Sequence, residues 1–153
     1  FSASLVPQVL KDLGFKYTGS KAEAVRLCTD KARAKRRLIR QGVPTPAYQL
    51  FSKPKGGVSL QFPAIVKPVH EDASMGINEN SVVTNASDMF ERVDYVVSEY
   101  RQPALVEEYI TGREFSVSMW GNRTMEVMPT RSSYLHSGSP EQSPRLGPTP
   151  PAR

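Results

Sequence analysis

Residues 64–77, AIVKPVHEDASMGI, set a lysine inside an apolar run, follow it with a proline, and then open into acids, small residues and a glycine. Ala64, Ile65, Val66 and Val69 have the character of a buried strand, and an unpaired ammonium in the middle of such a strand costs far more than its neighbours' burial returns. Lys67 therefore sits on a solvated edge or meets an anion. Pro68 cannot donate to a sheet ladder, which agrees with an edge. A lysine that discourages edge-to-edge pairing is the bland explanation.

The segments around this stretch set the context for that choice. Val6, Val9, Leu10 and Leu13 recur at helical spacing, with Pro7 in the first turn and Gly14 as the stop, so a short amphipathic helix is expected. Residues 15–17 form a brief extended piece. Ser20 with Glu23 has the form of a capping box that starts a helix at Lys21. Asp30 is placed to cap a second helix over 31–41, with Ala34 and Leu38 on one face, and Gly42 ends it before an extended VPTP segment.

From Ala47 the pattern changes to strands over 47–51, 62–69 and 80–84, with a turn at Gly56 and Gly57. Met89, Phe90, Val93, Val96, Val97 and Tyr100 form a wide stripe on a helix over 87–100, capped by Asn85 or Ser87 and suited to cover a sheet. Residues 104–110 and 114–120 are expected strands, and Gly121-Asn122 turns the chain into a further strand to give a hairpin. After about Tyr134 the chain has five prolines and no apolar face, a composition of a disordered tail. Strands, one helix and more strands joined by short turns indicate a small α+β unit on an antiparallel sheet.

With 153 residues, 39% of them hydrophobic, the chain has enough material for one domain with a core or parts of two. Its start at Phe1 shows neither a basic nor a long apolar region of a signal peptide. No apolar run approaches the roughly 20 residues of a membrane span, so no membrane partner is expected. The single cysteine, Cys28, excludes an intramolecular disulfide and fits a reducing, cytoplasmic setting. A net charge of +5 points to an anionic partner, whether phosphate, nucleotide or nucleic acid. Much of it comes from Arg26, Lys31, Arg33, Lys35, Arg36, Arg37 and Arg40. Such a cluster is more often a solvated helix face than a nucleic-acid footprint, and no aromatic residues interleave it for stacking on bases.

His70, His136 and Cys28 are scattered and match no zinc spacing, and neither a nucleophile elbow, a Walker A sequence nor a G-x-G-x-x-G is present. A nucleotide site of another design needs few parts: a strand lysine as a point charge for phosphates, a small-residue loop to cover them, an acid for ribose hydroxyls, and an apolar slot for the base. The sequence offers these in order as Lys67, the loop 70–76 with Ala73, Ser74 and Gly76, and the strand 104–110 followed by Glu114. Taken singly, each has an ordinary explanation: an edge lysine, a connecting loop, the solvated end of a strand.

Their joint order resembles the ATP-grasp superfamily and, within it, the D-alanine–D-alanine ligases. The matching pieces are YTGS at 17–20, DKARAKRRLIRQGVPTP at 30–46, FPAIVKP at 62–68, the loop ending in Ser74-Met75-Gly76, and LVEEYITGREFSV at 105–117. The resemblance implies that Lys31 and Lys67 contact ATP phosphates and that Ser74 belongs to the loop folding over the triphosphate. Glu107, Glu108 and Ile110 would line the adenine pocket, largely through backbone groups, and Glu114 would hold the ribose. The implied fold is the ATP-grasp central domain, an antiparallel sheet with covering helices, over residues 21–129. Residues 1–20 would be a remnant of the N-terminal substrate domain, and residues 130–153 a disordered proline-rich tail in place of the C-terminal catalytic region.

The implied activity is ATP-dependent carboxylate–amine ligation through an acyl phosphate, here limited to ATP binding, with a non-enzymatic nucleotide-binding or regulatory domain as the alternative. ATP and Mg²⁺ are the implied cofactors, the magnesium ligands lying outside this chain. An amino-acid or other carboxylate substrate and a homodimer of the full-length protein are the implied partners; nucleic acid is not. Where the family loop has Glu-Gly-Ser-Ser-x-Gly, this chain has Glu71-Asp72-Ala73-Ser74-Met75-Gly76. Ala73 replaces the serine that helps orient the first amino acid, and Asp72 adds a negative charge near phosphates.

Overall fold

The computed structural model describes residues 3–122 and 124–133, and the chain divides into two compact units, Phe1–Ile110 and Thr111–Arg153. The residues after Ser133, where the sequence suggests a disordered tail, lie outside the described ones.

The first unit opens with three helices, α1 (Leu5–Asp12), α2 (Ala22–Thr29) and α3 (Lys31–Arg40). Asp30 caps α3 as expected, its carboxylate accepting the Arg33 N–H at 2.9 Å. The capping box at Ser20 does not form: Lys21 occupies the cap position of α2 and no side chain caps it. Ser20 lies one residue too early, outside the place from which a side-chain oxygen reaches the second and third helical N–H groups. In α3 the buried residues are Ala32 and Lys35, and Leu38 of the anticipated apolar face is 39% exposed. A lysine has displaced an aliphatic residue from the packed side of this helix.

Four strands, β1 (Tyr48–Phe51), β2 (Ala64–Pro68), β3 (Val82–Val83) and β4 (Ala104–Glu108), form one antiparallel sheet in the order β1-β4-β2-β3. Across it lies α4 (Ala86–Tyr100), capped by Asn85, whose side chain accepts the Asp88 N–H at 3.0 Å. Side chains alternate between the faces of a strand, so Ala64, Val66, Ala104 and Val106 point one way and meet Met89, Val93 and Val96 of α4 with Phe51 and Val83. This is the main core. Each fully buried Met or Val there contributes on the order of 1.5–3 kcal/mol relative to exposure.

The expected strand over 80–84 shrinks to Val82–Val83. The Asn78 side chain accepts the Asn80 N–H at 3.0 Å while the Ser81 hydroxyl accepts the Asn78 N–H at 2.9 Å. These bonds hold Glu79–Ser81 in a 3-10 turn, local side-chain bonding having outcompeted the ladder. Because β3 pairs only with Ala64 and Ile65, the β2 edge beyond them is open among the described residues. Pro68 is tolerated there: it still faces Ala104 of β4, and no strand among the described residues waits for the N–H it lacks.

In the second unit the expected strand over 114–120 is two strands, β5 (Glu114–Ser116) and β6 (Met119–Gly121). β6 forms the anticipated hairpin with β7 (Met125–Val127), while β5 pairs with β8 (Arg131–Ser133), a strand that the sequence pattern did not show. Gly121 sits at φ +126°, and a Cβ there would lie 2.1 Å from the Thr124 carbonyl oxygen, so this turn admits no other residue.

Candidate functional site

The sheet face opposite α4 carries Ile65 and Lys67 from β2 and Leu105 and Glu107 from β4. α3 packs against it: Ala32 joins Val69 and Leu105 in a small core with Tyr48 alongside. The first residue of the helix is pinned to the end of β2 by the Lys31 N–H, which donates to the Val69 carbonyl at 3.1 Å. That tether delivers Lys31 to the point where the loop 70–77 leaves the sheet.

Two lysines pair here with one carboxylate, and a third stands beside them. Lys35 Nζ lies 2.8 Å from Glu107 Oε2, and Lys67 Nζ pairs with Glu107 Oε1. Lys35 also donates to Thr45 Oγ1 at 2.7 Å and to the Pro46 carbonyl at 2.9 Å, and its ammonium stands 5.2 Å from the centre of the Tyr48 ring. Lys31 Nζ donates to the Pro68 carbonyl at 3.0 Å and to the Glu71 carbonyl. Burial, followed by the nearby charge of Lys67, holds the Lys31 ammonium below the ordinary lysine value of 10.5, against the opposing pull of Glu71, Asp72 and Glu107. Two ammonium groups share the buried Glu107 carboxylate on a partly water-shielded face, and the Lys31 ammonium, with Glu71 and Asp72 nearby, stands next to them. A polyanion at this place would relieve both the desolvation and the lysine–lysine repulsion.

The loop 70–77 is anchored on the Lys31 side by Gln102, which accepts the His70 N–H at 2.6 Å and donates to Glu71 Oε1 at 2.7 Å. Asp72, Ala73, Ser74 and Met75 are exposed at its tip. Ala73 and Ser74 both take left-handed backbone, with φ 47° and 61°, which L residues adopt at a cost of about 1–3 kcal/mol each. Asp72 is near enough to Lys31 to favour its charged form, so the extra acid has a cation to meet.

Of the residues marked by sequence, Lys31, Lys67 and Glu107 are gathered in one cluster, with the Ser74 loop springing from beside it. Glu107 enters by its carboxylate, whereas the family resemblance implied mainly backbone use. Glu108 and Ile110 are exposed at the far end of β4; the Glu108 N–H is already donated to the Ala47 carbonyl at 3.0 Å, and Ile110 lies past the strand. Glu114 belongs to the second unit, where it is exposed and pairs with Ser133. Arg33, Arg36, Arg37 and Arg40 are exposed, as a solvated helix face requires. Sequence reasoning left Lys35 among those solvated cations, although its spacing of one helical turn from Lys31 places the two on one face. Among the described residues no group of three His, Cys, Asp or Glu side chains is placed to hold a metal ion. No helix among them is long and apolar enough to cross a membrane.

The comparisons with known proteins bear on family and fold. Residues 39–138 match the family model described as D-ala D-ala ligase C-terminus. An uncharacterized protein, y4sG, of Sinorhizobium fredii is 39% identical over 125 residues, covering 81% of this chain and 36% of that protein. The D-alanine–D-alanine ligase of Hydrogenovibrio crunogenus is 33% identical over 133 residues, covering 84% of this chain and 41% of that enzyme. Among solved structures, the D-alanine–D-alanine ligase from Helicobacter pylori superposes with a TM-score of 0.72 at 20% identity, over 92% of this chain and 46% of that one. The Bacillus anthracis D-alanine–D-alanine ligase complexed with ATP gives 0.60 at 22% identity, over 80% and 46%. The fold is that of the ATP-grasp ligases. This chain belongs to the D-alanine–D-alanine ligase family, and it spans about two fifths of the length of the curated relatives it matches.

Proposed function

We propose that this chain binds ATP as the nucleotide-holding part of an ATP-dependent carboxylate–amine ligase. The observation that carries this reading is the pairing of Lys35 and Lys67 with the single carboxylate of Glu107, with Lys31 close enough to feel the Lys67 charge, beside a loop whose exposed tip is held in left-handed backbone. Lys31 and Lys67 would meet the phosphates as point charges, Lys67 sharing itself with Glu107 and Lys31 exchanging carbonyl oxygens for phosphate oxygens. Ser74 and its neighbours would close over them. Glu107, Glu108 and Ile110 would edge the adenine slot, and Glu114 would take the ribose hydroxyls.

In the reaction class, the γ-phosphoryl group passes to a carboxylate to give an acyl phosphate and ADP. The amine of a second substrate then attacks the acyl carbon and phosphate leaves. Magnesium supplies charge neutralisation on the transferring phosphoryl group in such chemistry, and the residues described here contribute binding and placement. We assign the carboxylate and amine by class only, because Ala73 stands where the family loop has the serine that orients its first amino acid.

Isothermal titration with ATP and magnesium tests the site. Wild type is expected to bind, and Lys67→Ala to bind about 10- to 100-fold more weakly, the range for losing a charged hydrogen bond. Equal affinity in the two proteins, or no heat in either, contradicts the reading.

A further inference from the structure

Arg92 is 7% exposed on α4, yet among the described residues no carboxylate stands within ion-pairing distance of it. Its guanidinium instead donates from Nη2 to the Gly76 carbonyl at 2.8 Å and to Ser81 Oγ at 3.0 Å, and stacks 4.3 Å from the centre of the Tyr95 ring. Nε is buried without a partner. An arginine buried at this cost, where Met or Leu would fill the space, divides its directed bonding between the Ser81 hydroxyl and one backbone oxygen at the end of the loop 70–77, the shorter bond going to that backbone oxygen.

That oxygen belongs to the second of the loop's two posts. On the first side Gln102 and Lys31 hold His70 and Glu71. On the second, Gly76 sits against Pro68 and Tyr100 so closely that a Cβ would fall 2.6 Å from Pro68 Cγ, and Arg92 fixes its carbonyl. Between the posts the tip is tightened by the Met75 N–H donating to the Asp72 carbonyl at 2.9 Å and the Ile77 N–H donating to the Ser74 carbonyl at 3.0 Å. With both ends fixed, the left-handed conformations of Ala73 and Ser74 are imposed and the direction of Ser74 is set.

We propose that Arg92 is a positioning residue for the nucleotide site: by clamping the Gly76 carbonyl from the opposite side of the sheet, it presents the loop tip and Ser74 to the phosphates. This rests on the ATP reading above. The clamp acts on the phosphate end of a nucleotide and leaves the base and sugar untouched, so it governs the difference in affinity between ATP and adenosine.

The test uses the full chain with Arg92→Met, which keeps the length and apolar stem, and Arg92→Lys, which keeps one donor able to reach the carbonyl. Amide-shift titrations with ATP and with adenosine are expected to show Arg92→Met weakening ATP about tenfold while adenosine is unchanged, with partial recovery in Arg92→Lys. In the ligand-free chain, hydrogen exchange at Met75 and Ile77 should quicken about tenfold or more in Arg92→Met while Val93 and Val96 keep their protection. A uniform rise in exchange, or ATP and adenosine weakened alike, reduces Arg92 to a structural residue and overturns the proposal. If Lys67→Ala weakens ATP but Arg92→Met does not, the positioning role fails and the ATP reading stands. If wild type binds no ATP, the ATP reading fails and the phosphate role fails with it, while the exchange arm still decides whether Arg92 holds the loop.

Discussion

Replacing Glu107 by Ala is expected to destabilise the first unit by about 3–5 kcal/mol, the usual consequence of removing one partner of a buried ion pair. The side chains involved are nearly dry, with exposures of 9% for Lys35, 19% for Lys67 and 10% for Glu107. Without the carboxylate, Lys35 retains Thr45 Oγ1 and the Pro46 carbonyl, but the Lys35 and Lys67 ammonium groups lose the carboxylate that pairs them, with Lys31 nearby. Against a total stability of roughly 5–15 kcal/mol such a loss brings the unit near its threshold. Urea unfolding monitored by circular dichroism measures it directly. Adding Lys35→Met to Glu107→Ala should recover part of the loss, because the second change removes a stranded charge. A loss below about 1 kcal/mol for Glu107→Ala would mean that the three lysines are solvated and that no electrostatic cluster exists.

The second large effect is expected at Gly76. Its φ of +75° is costly for any residue with a Cβ, and a Cβ there would meet Pro68 Cγ at 2.6 Å, Pro68 Cδ at 2.9 Å and Tyr100 Cζ at 3.1 Å. Pro68 is a rigid ring in the sheet and cannot swing aside. Left-handed strain of about 1–2 kcal/mol and overpacking of about 1–3 kcal/mol together give a loss of roughly 2–5 kcal/mol for Gly76→Ala. Thermal unfolding of the variant checks this. A Gly121→Ala control in the second unit should leave the first unit's transition unchanged if the units unfold separately. An unaltered melting temperature in Gly76→Ala would show that the loop post is looser than its geometry states.

The parts of this molecule that sequence reasoning found are those with a local cause. Asp30 and Asn85 cap α3 and α4 because a short acceptor side chain precedes a helical run, and that relation spans three residues. Lys67 stood out because a charge in an apolar strand demands a partner, and Glu107 proved to be that partner. What stayed hidden depends on position in space or on a shift of one residue. The role of Lys35 is set by a carboxylate on β4, distant in sequence, so in the chain it looks like one more cation of a basic helix. Ser20 has the right chemistry for a cap but stands one residue too early. The strand expected over 80–84 keeps only Val82 and Val83, its first residues being taken into a turn by the side chains of Asn78 and Ser81, whose bonding a β-propensity argument does not weigh. β8 carries no alternation of its own and exists as a partner for β5.

Those same cases separate the structural from the functional parts of the site. The α4 face of the sheet follows its pattern through Ala64, Val66, Ala104 and Val106, which are buried, and the stripe of α4 lies over them. The opposite face breaks the pattern, placing lysines and a glutamate where an aliphatic layer would be more stable. A cleft of about 580 Å³ on the α4 side, lined among others by Asn78, Glu79, Asp88 and Glu91, contains none of that lysine cluster. Three nearby carboxylates make it a poor place for phosphates, despite the presence of Arg92 at its wall.

These two surfaces provide the most direct discrimination. Titrating ATP into the isotopically labelled chain and following every amide shift shows where a nucleotide sits. The account predicts the largest changes at Lys31, Lys67 and residues 72–77, with Glu108 and Ile110 responding to the base. Changes confined to the β3–α4 cleft, at Asn78 to Asn80 and Asp88 to Glu91, would contradict it.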